Sequence, residues 1–108
     1  MQTISMYDAN DFKQRITIEN TLYILHFSWN GTEWNMDIRD SSNNDIVRNI
    51  VVVPNFPLLL QYQRHIDIKG QLLAIRNDST TTINRTDFVN KKATLVYMSL
   101  EDVEDAVS

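Results

Sequence analysis

The sequence predicts an all-β protein, a single small antiparallel β-barrel or β-sandwich of about six strands with a central Asn-Gly hairpin. Three observations carry this. Short runs of alternating or β-branched residues recur along the chain, separated by polar turn clusters. No long apolar period of 3.6 residues interrupts them. The stretch from Thr21 to Asp40, TLYILHFSWNGTEWNMDIRD, reads as two strands joined by Asn30-Gly31. A chain of 108 residues suffices for one domain with one core, and sheets of this size must bury one face.

Residues 1–10 lack periodicity and read as an N-terminal arm, with the β domain over 11–100 and an acidic tail over 101–108. Phe12 to Ile18 alternates and is the first expected strand; Glu19-Asn20 turns it into the central hairpin. A type I′ turn needs φ > 0 at both central residues, which Asn-Gly supplies readily. A two-residue loop there sets Trp29 opposite Thr32, Phe27 opposite Trp34, Leu25 opposite Met36 and Tyr23 opposite Ile38. Side chains alternate between faces, so Tyr23, Leu25, Phe27, Trp29, Trp34, Met36 and Ile38 share one apolar face. A loop one residue longer would break that face up.

Ser41 to Asp45 is a polar turn cluster. Ile46 to Val53 is expected as a strand buried on both faces in its later half, ended by Pro54-Asn55-Phe56-Pro57. Leu58 to Tyr62 is short and leans to one helical turn. Gly70 to Asn77 is a further strand, with Leu72 and Ala74 on one face. Asp78 to Thr82 is a loop, Asp87 stands where it caps a short turn, and Ala93 to Leu100 is the last strand.

Composition narrows the function classes. There is no Cys, which removes disulfides, thiolate metal sites and Cys nucleophiles. The start, MQTISMYDANDF, has neither the basic nor the apolar region of a secretory signal, and the longest apolar run, Ile50 to Val53, is too short to span a membrane. Without such a signal, the Asn-x-Ser/Thr matches at Asn30, Asn77 and Asn84 read as chance. The net charge of −4 comes from 10 basic and 14 acidic residues, and Glu101, Asp102, Glu104 and Asp105 account for the whole excess. A neutral body with scattered Lys and Arg lacks the concentrated positive field of a nucleic-acid binder.

No constellation for chemistry stands out. His26 and His65 are the only histidines and lack a convergent third ligand, so both read as structural. Asp37, Asp40 and Asp45 surround a turn without the central Gly or closing Glu of a calcium loop, and Asx-type turn bonds are the expected role. Ser79 to Thr82 has hydroxyls without a paired base, and two glycines, Gly31 and Gly70, cannot make a phosphate-cradling loop. No catalytic, cofactor or metal residue is therefore assigned, and an enzyme is not expected. Trp29 and Trp34 could stack bases on an exposed face, but their apolar neighbours make that face read as core.

The order of these features resembles a family of small baseplate plug proteins of contractile-tailed bacteriophages. The resemblance rests on Trp29-Asn30, on Trp34-x-Met36-Asp37-Ile38 with a polar turn after it, on Leu58-Leu59, on Gly70-x-Leu72 and on Leu95-x-Tyr97. Met36 stands where that family usually has Leu, and the polar turn lacks its frequent Gly. The resemblance implies a virion component of the tail baseplate, made in the host bacterial cytoplasm. It implies tube, hub or spike proteins as partners, no catalysis and no cofactor; self-association through an unpaired strand edge stays open. The competing expectation is a small β-barrel binding module for single-stranded nucleic acid or another ligand, with Trp29, Trp34 or Tyr97 exposed near Arg39, Arg48 or Arg76.

Overall fold

The computed structural model describes residues 2–62 and 64–102. Its strands are β1 (Gln2–Ile4), β2 (Asp11–Ile18), β3 (Thr21–Trp29), β4 (Trp34–Arg39), β5 (Asp45–Val51), β6 (Gln71–Arg76) and β7 (Ala93–Met98), with a 3-10 turn at Leu60–Tyr62. They form two antiparallel sheets, one in the order β2-β3-β4-β5 and one in the order β1-β7-β6. The fold is all-β. One strand more than expected comes from the N-terminal segment, where β1 pairs with β7 and buries Ile4. Three residues are too few to show an alternation.

The β2–β3 turn is the tightest of the described hairpin connections. Ile18 pairs with Thr21, and the two residues between them, Glu19 and Asn20, have φ of 53° and 67°. That is the left-handed pair a type I′ turn demands. The expectation had placed such a turn at Asn30-Gly31, and there the structure corrects it. Trp29 pairs with Trp34, Phe27 with Met36 and Leu25 with Ile38, two residues away from the expected register. The connection is a four-residue loop in which Gly31 alone has positive φ, 97°. Asn30 stays out of the left-handed region, and its Oδ1 instead accepts from the Thr32 and Glu33 amides at 2.9 and 2.8 Å. A shift of two leaves side-chain parity unchanged. The same residues therefore face inward, and the two indoles meet edge-on at 5.6 Å.

β5 departs further from regularity. Its register against β4 slips between Met36 and Ile38 and again before Arg39, and Asn49 has φ 59°. The unpaired Asn49 amide donates to Asp37 Oδ1 at 2.8 Å, so the side chain satisfies what the ladder leaves free. The later half of this strand is not buried on both faces as expected. Ile50 and Val52 are buried, whereas Val51 is 38% exposed, because it lies beside Asn35 on the sheet face turned away from the core.

The chain then crosses to the other sheet. Pro54 bridges Ala74, the Asn55 amide donates to the Ala74 carbonyl at 2.7 Å, and the Leu58 amide donates to the Leu72 carbonyl at 2.9 Å. The Asn55 side chain adds a two-way bond to the backbone of Arg76, at 2.8 and 3.1 Å. One apolar core joins both sheets, from Phe27, Met36 and Ile38 on one side to Leu72, Ala74 and Leu95 on the other, with Leu58 and Leu59 between.

Candidate interaction surface

The hairpin residues singled out from the sequence lie mainly inside. Tyr23, Leu25, Phe27, Trp34, Met36 and Ile38 are buried, Trp29 is half-buried, and Asn30 and Gly31 sit exposed at the loop. Trp34 packs between Trp29 and Phe12, and Phe12 stacks on Phe27 at 5.2 Å. The platform of the competing expectation does not form. Trp34 and Tyr97 belong to the core, and Arg76 is buried. Arg39 is paired with Asp45 at 3.0 Å, and Arg48 reaches the same carboxylate at 3.4 Å.

His26 links strands rather than holding a ligand. On the face away from the core its Nε2 lies 2.7 Å from Asp11 and its Nδ1 3.2 Å from Asp37, spanning β2, β3 and β4. Burial pushes the Asp37 carboxyl up, but the Asn49 amide, His26 and Arg39 outweigh it and hold it below the usual range. His65 and Asp67 are exposed. Among the described residues no group of three or more His, Asp or Glu is placed to hold a metal ion. Asp40 Oδ1 accepts from the Ser42 and Asn44 amides, both at 2.9 Å, which is the Asx-type turn role read from the sequence.

Two polar fasteners escaped the sequence reading. In the first, the Glu19 carboxylate on the β2–β3 turn accepts from the amides of Lys69, at 3.0 Å, and Gly70, at 2.9 Å, and from the Tyr97 hydroxyl. It ties one end of the four-stranded sheet to the start of β6 and the end of β7. Burial pushes the Glu19 carboxyl up, but these donors outweigh it and lower it. Burial and the same carboxylate together push the Tyr97 phenol well up. Gly70 is required there, since a Cβ would lie 2.1 Å from the Met98 carbonyl oxygen. The signal available in the sequence was a lone Gly opening a strand in a chain with only two.

The second fastener is buried. The Arg76 guanidinium donates to Asp87, to Asp78 at 2.7 Å and to the Thr82 carbonyl at 3.3 Å, and Asp87 also accepts from the Asn84 amide at 2.8 Å. Arg76 and the Thr80 amide hold the Asp78 carboxyl down to about 2. This cluster folds the whole β6–β7 connection against the end of β6. Arg76 sits in a strand whose alternation read as core, so its partner was not evident from sequence spacing.

What remains accessible is edges and grooves. Among the described residues, β2 and β1 pair with a strand on one side only. A groove of about 240 Å³ runs between β5 and the segment after it, beside exposed Val51 and Phe56. A second, of about 360 Å³, lies between β1, the start of β7 and the Phe88–Lys91 turn. No described helix is long and apolar enough to cross a membrane.

A family model described as the cyanophage baseplate Pam3 plug gp18 matches residues 1–101. The chain belongs to that family. It is thus one of the structural proteins of a phage tail baseplate, and the family is the one anticipated from Trp29-Asn30, Trp34 to Ile38 and Gly70-x-Leu72. The match also takes in β1 and the whole of both sheets. No curated protein matches the chain.

Proposed function

We propose that this protein is a plug at the centre of a contractile tail baseplate, held by tube and hub proteins and acting through protein contacts without catalysis. The observation that carries this reading is the family match over residues 1–101. The fold supports it physically. A cross-tied core gives a rigid body, while free strand edges and apolar grooves give partners somewhere to bind. Work of this kind asks for shape and surface rather than a reactive group. Virion assembly would begin with the protein made in the host cytoplasm and end with it in the tail.

The test is reconstitution. The chain, mixed with tube and hub proteins from the same genome, should co-purify in a complex of fixed stoichiometry. Electron microscopy should find it on the tail axis. A chain that binds neither protein, and whose gene lies apart from any block of tail genes, would remove this reading.

A further inference from the structure

The outer edge of β2 is a row of unmet backbone groups. Ile18 and Thr21 close the β2–β3 turn as a hydrogen-bonded pair, so Ile16, Gln14 and Phe12 also bond to β3. The Asn10 carbonyl continues that series and accepts from the Trp29 amide at 2.7 Å. The alternate residues Lys13, Arg15 and Thr17 therefore turn their amides and carbonyls away from β3. Among the described residues no strand pairs with them there. Their side chains stand exposed on the face away from the core.

The side chains decide what such an edge selects. Lys13 and Arg15 have no ion pair among the described residues. Asp11, the acid on the same face, is turned to His26 at 2.7 Å. Between the two cations, on the inner face, Gln14 is half-buried, and its Oε1 has no partner among the described atoms. The edge thus offers a cation, an orphan acceptor and a second cation in successive positions. A second copy of β2 does not suit it. Antiparallel registers centred on Lys13, Gln14 or Arg15 set Lys13 against Lys13, Lys13 against Arg15, or Arg15 against Arg15. Like charges directly opposite destabilise a strand pair, and such an edge is closed to its own kind. No described strand carries acids at two alternate positions, so the other edges of a second copy do not match it either.

We propose that the β2 edge receives an extended segment of another baseplate protein as an added strand, in which acidic side chains at two alternate positions face Lys13 and Arg15 and the residue between them donates to Gln14. Backbone bonds supply the affinity, and the charges fix register and partner. This deepens the plug reading, and rests on it only for the source of the segment.

The experiment uses the full chain, labelled with ¹⁵N. In the free protein the Lys13, Arg15 and Thr17 amides should exchange with deuterium at least tenfold faster than those of Gln14 and Ile16. The first probe is a capped heptapeptide with glutamate third and fifth and threonine between them. It should slow the three amides at least tenfold, with binding that weakens as salt rises. Lysine in place of both glutamates, or N-methylation of the two glutamate amides, should abolish binding. Lys13→Glu combined with Arg15→Glu should lose the glutamate peptide and gain the lysine one, and that gain shows the variant folded. The second probe is the tube and hub proteins of the same genome. Their complex should protect the same three amides, and carboxylate-to-amine cross-linking should join Lys13 to an acid that has another acid two positions away. Equal binding of the two peptides, binding of neither, or a bound glutamate peptide that leaves the three amides fast would each overturn the proposal. Protection of those amides in the chain alone at rising concentration would make the occupant a second copy and overturn it too. A tube and hub complex that forms while the three amides stay fast removes this inference alone. An edge that takes the glutamate peptide, in a chain that joins neither protein, removes the plug reading alone.

Discussion

Replacing Trp34 by Ala probes the centre of the structure most directly. The residue is 1% exposed and lies between Trp29 and Phe12, with ring centroids at 5.6 and 5.9 Å. A buried indole removes about 150–250 Å² from water, worth about 4–6 kcal/mol at about 25 cal/mol per Å². The alanine retains part of that. The expected loss is therefore about 3–5 kcal/mol, the range observed for large aromatic truncations. No hydrogen bond adds to it, since the indole Nε1 has no partner among the described atoms. Against a total of about 5–15 kcal/mol, the variant would be marginal, with Tm lowered by roughly 15–30 °C. Urea unfolding followed by far-UV circular dichroism measures this. Trp29→Ala, at a half-buried position, should cost clearly less. A loss below about 1 kcal/mol for Trp34→Ala, or the reverse order of the two tryptophans, would refute the packing. So would a well-folded Trp34→Ala protein that fails only in partner binding, because the indole would then belong to the surface.

Gly70→Ala should destabilise by about 1–3 kcal/mol or more, because the new methyl meets the Met98 carbonyl oxygen rather than a yielding side chain; a thermal melt equal to wild type would contradict the close approach. Asn30→Gly should cost about 1 kcal/mol through loss of the two amide bonds to Asn30 Oδ1. A type I′ turn would accept that glycine without loss, so equilibrium unfolding discriminates the two loops. Acid should unfold the protein in part through Glu19. Its folded carboxyl lies below the ordinary 4.5, so the unfolded chain binds more protons there. The stabilisation is complete above about pH 4.5 and is lost as pH falls through the lowered value. Glu19→Gln should lower stability at neutral pH and flatten the acid slope of the melting temperature; an unchanged slope would sink this assignment.

How much was legible follows from what each signal encodes. Face identity at the hairpin depends only on parity, and alternation from Leu25 to Ile38 fixed it even though the register was wrong by two. The exact register depends on whether Asn30 enters the left-handed region or uses its side chain as an acceptor, and the dipeptide alone does not distinguish these. Nothing in Glu19-Asn20 marks the better type I′ turn, because Glu seldom adopts positive φ. It does so here with its carboxylate anchored on Lys69 and Gly70, fifty residues away in sequence. The Arg76–Asp87 contact spans only eleven residues, but it closes an irregular loop that has no period to mark it. Periodic features were readable, while side-chain bonds made by turns and loops were not. For the accessible surface, charge asymmetry was readable at once, but the groove beside β1 required the sheet order.

The two fasteners explain how so small a body can serve as a fixed part. Hydrophobic burial holds the sheets together but is non-directional, and it tolerates sliding of one sheet over the other. Hydrogen bonds with defined partners do not. Glu19 grips the start of β6 and the end of β7, while Asn55 grips the end of β6 where Arg76 gathers the following loop. β6 is thus pinned at both ends to elements of the other sheet or its exit. Such pinning resists shear of one sheet over the other. It also leaves the outer edges of β1 and β2 free of these duties. In this protein polar ties at the turns, with the buried Arg76–Asp87 pair among them, set the geometry, and the strand edges and grooves are left free of these ties.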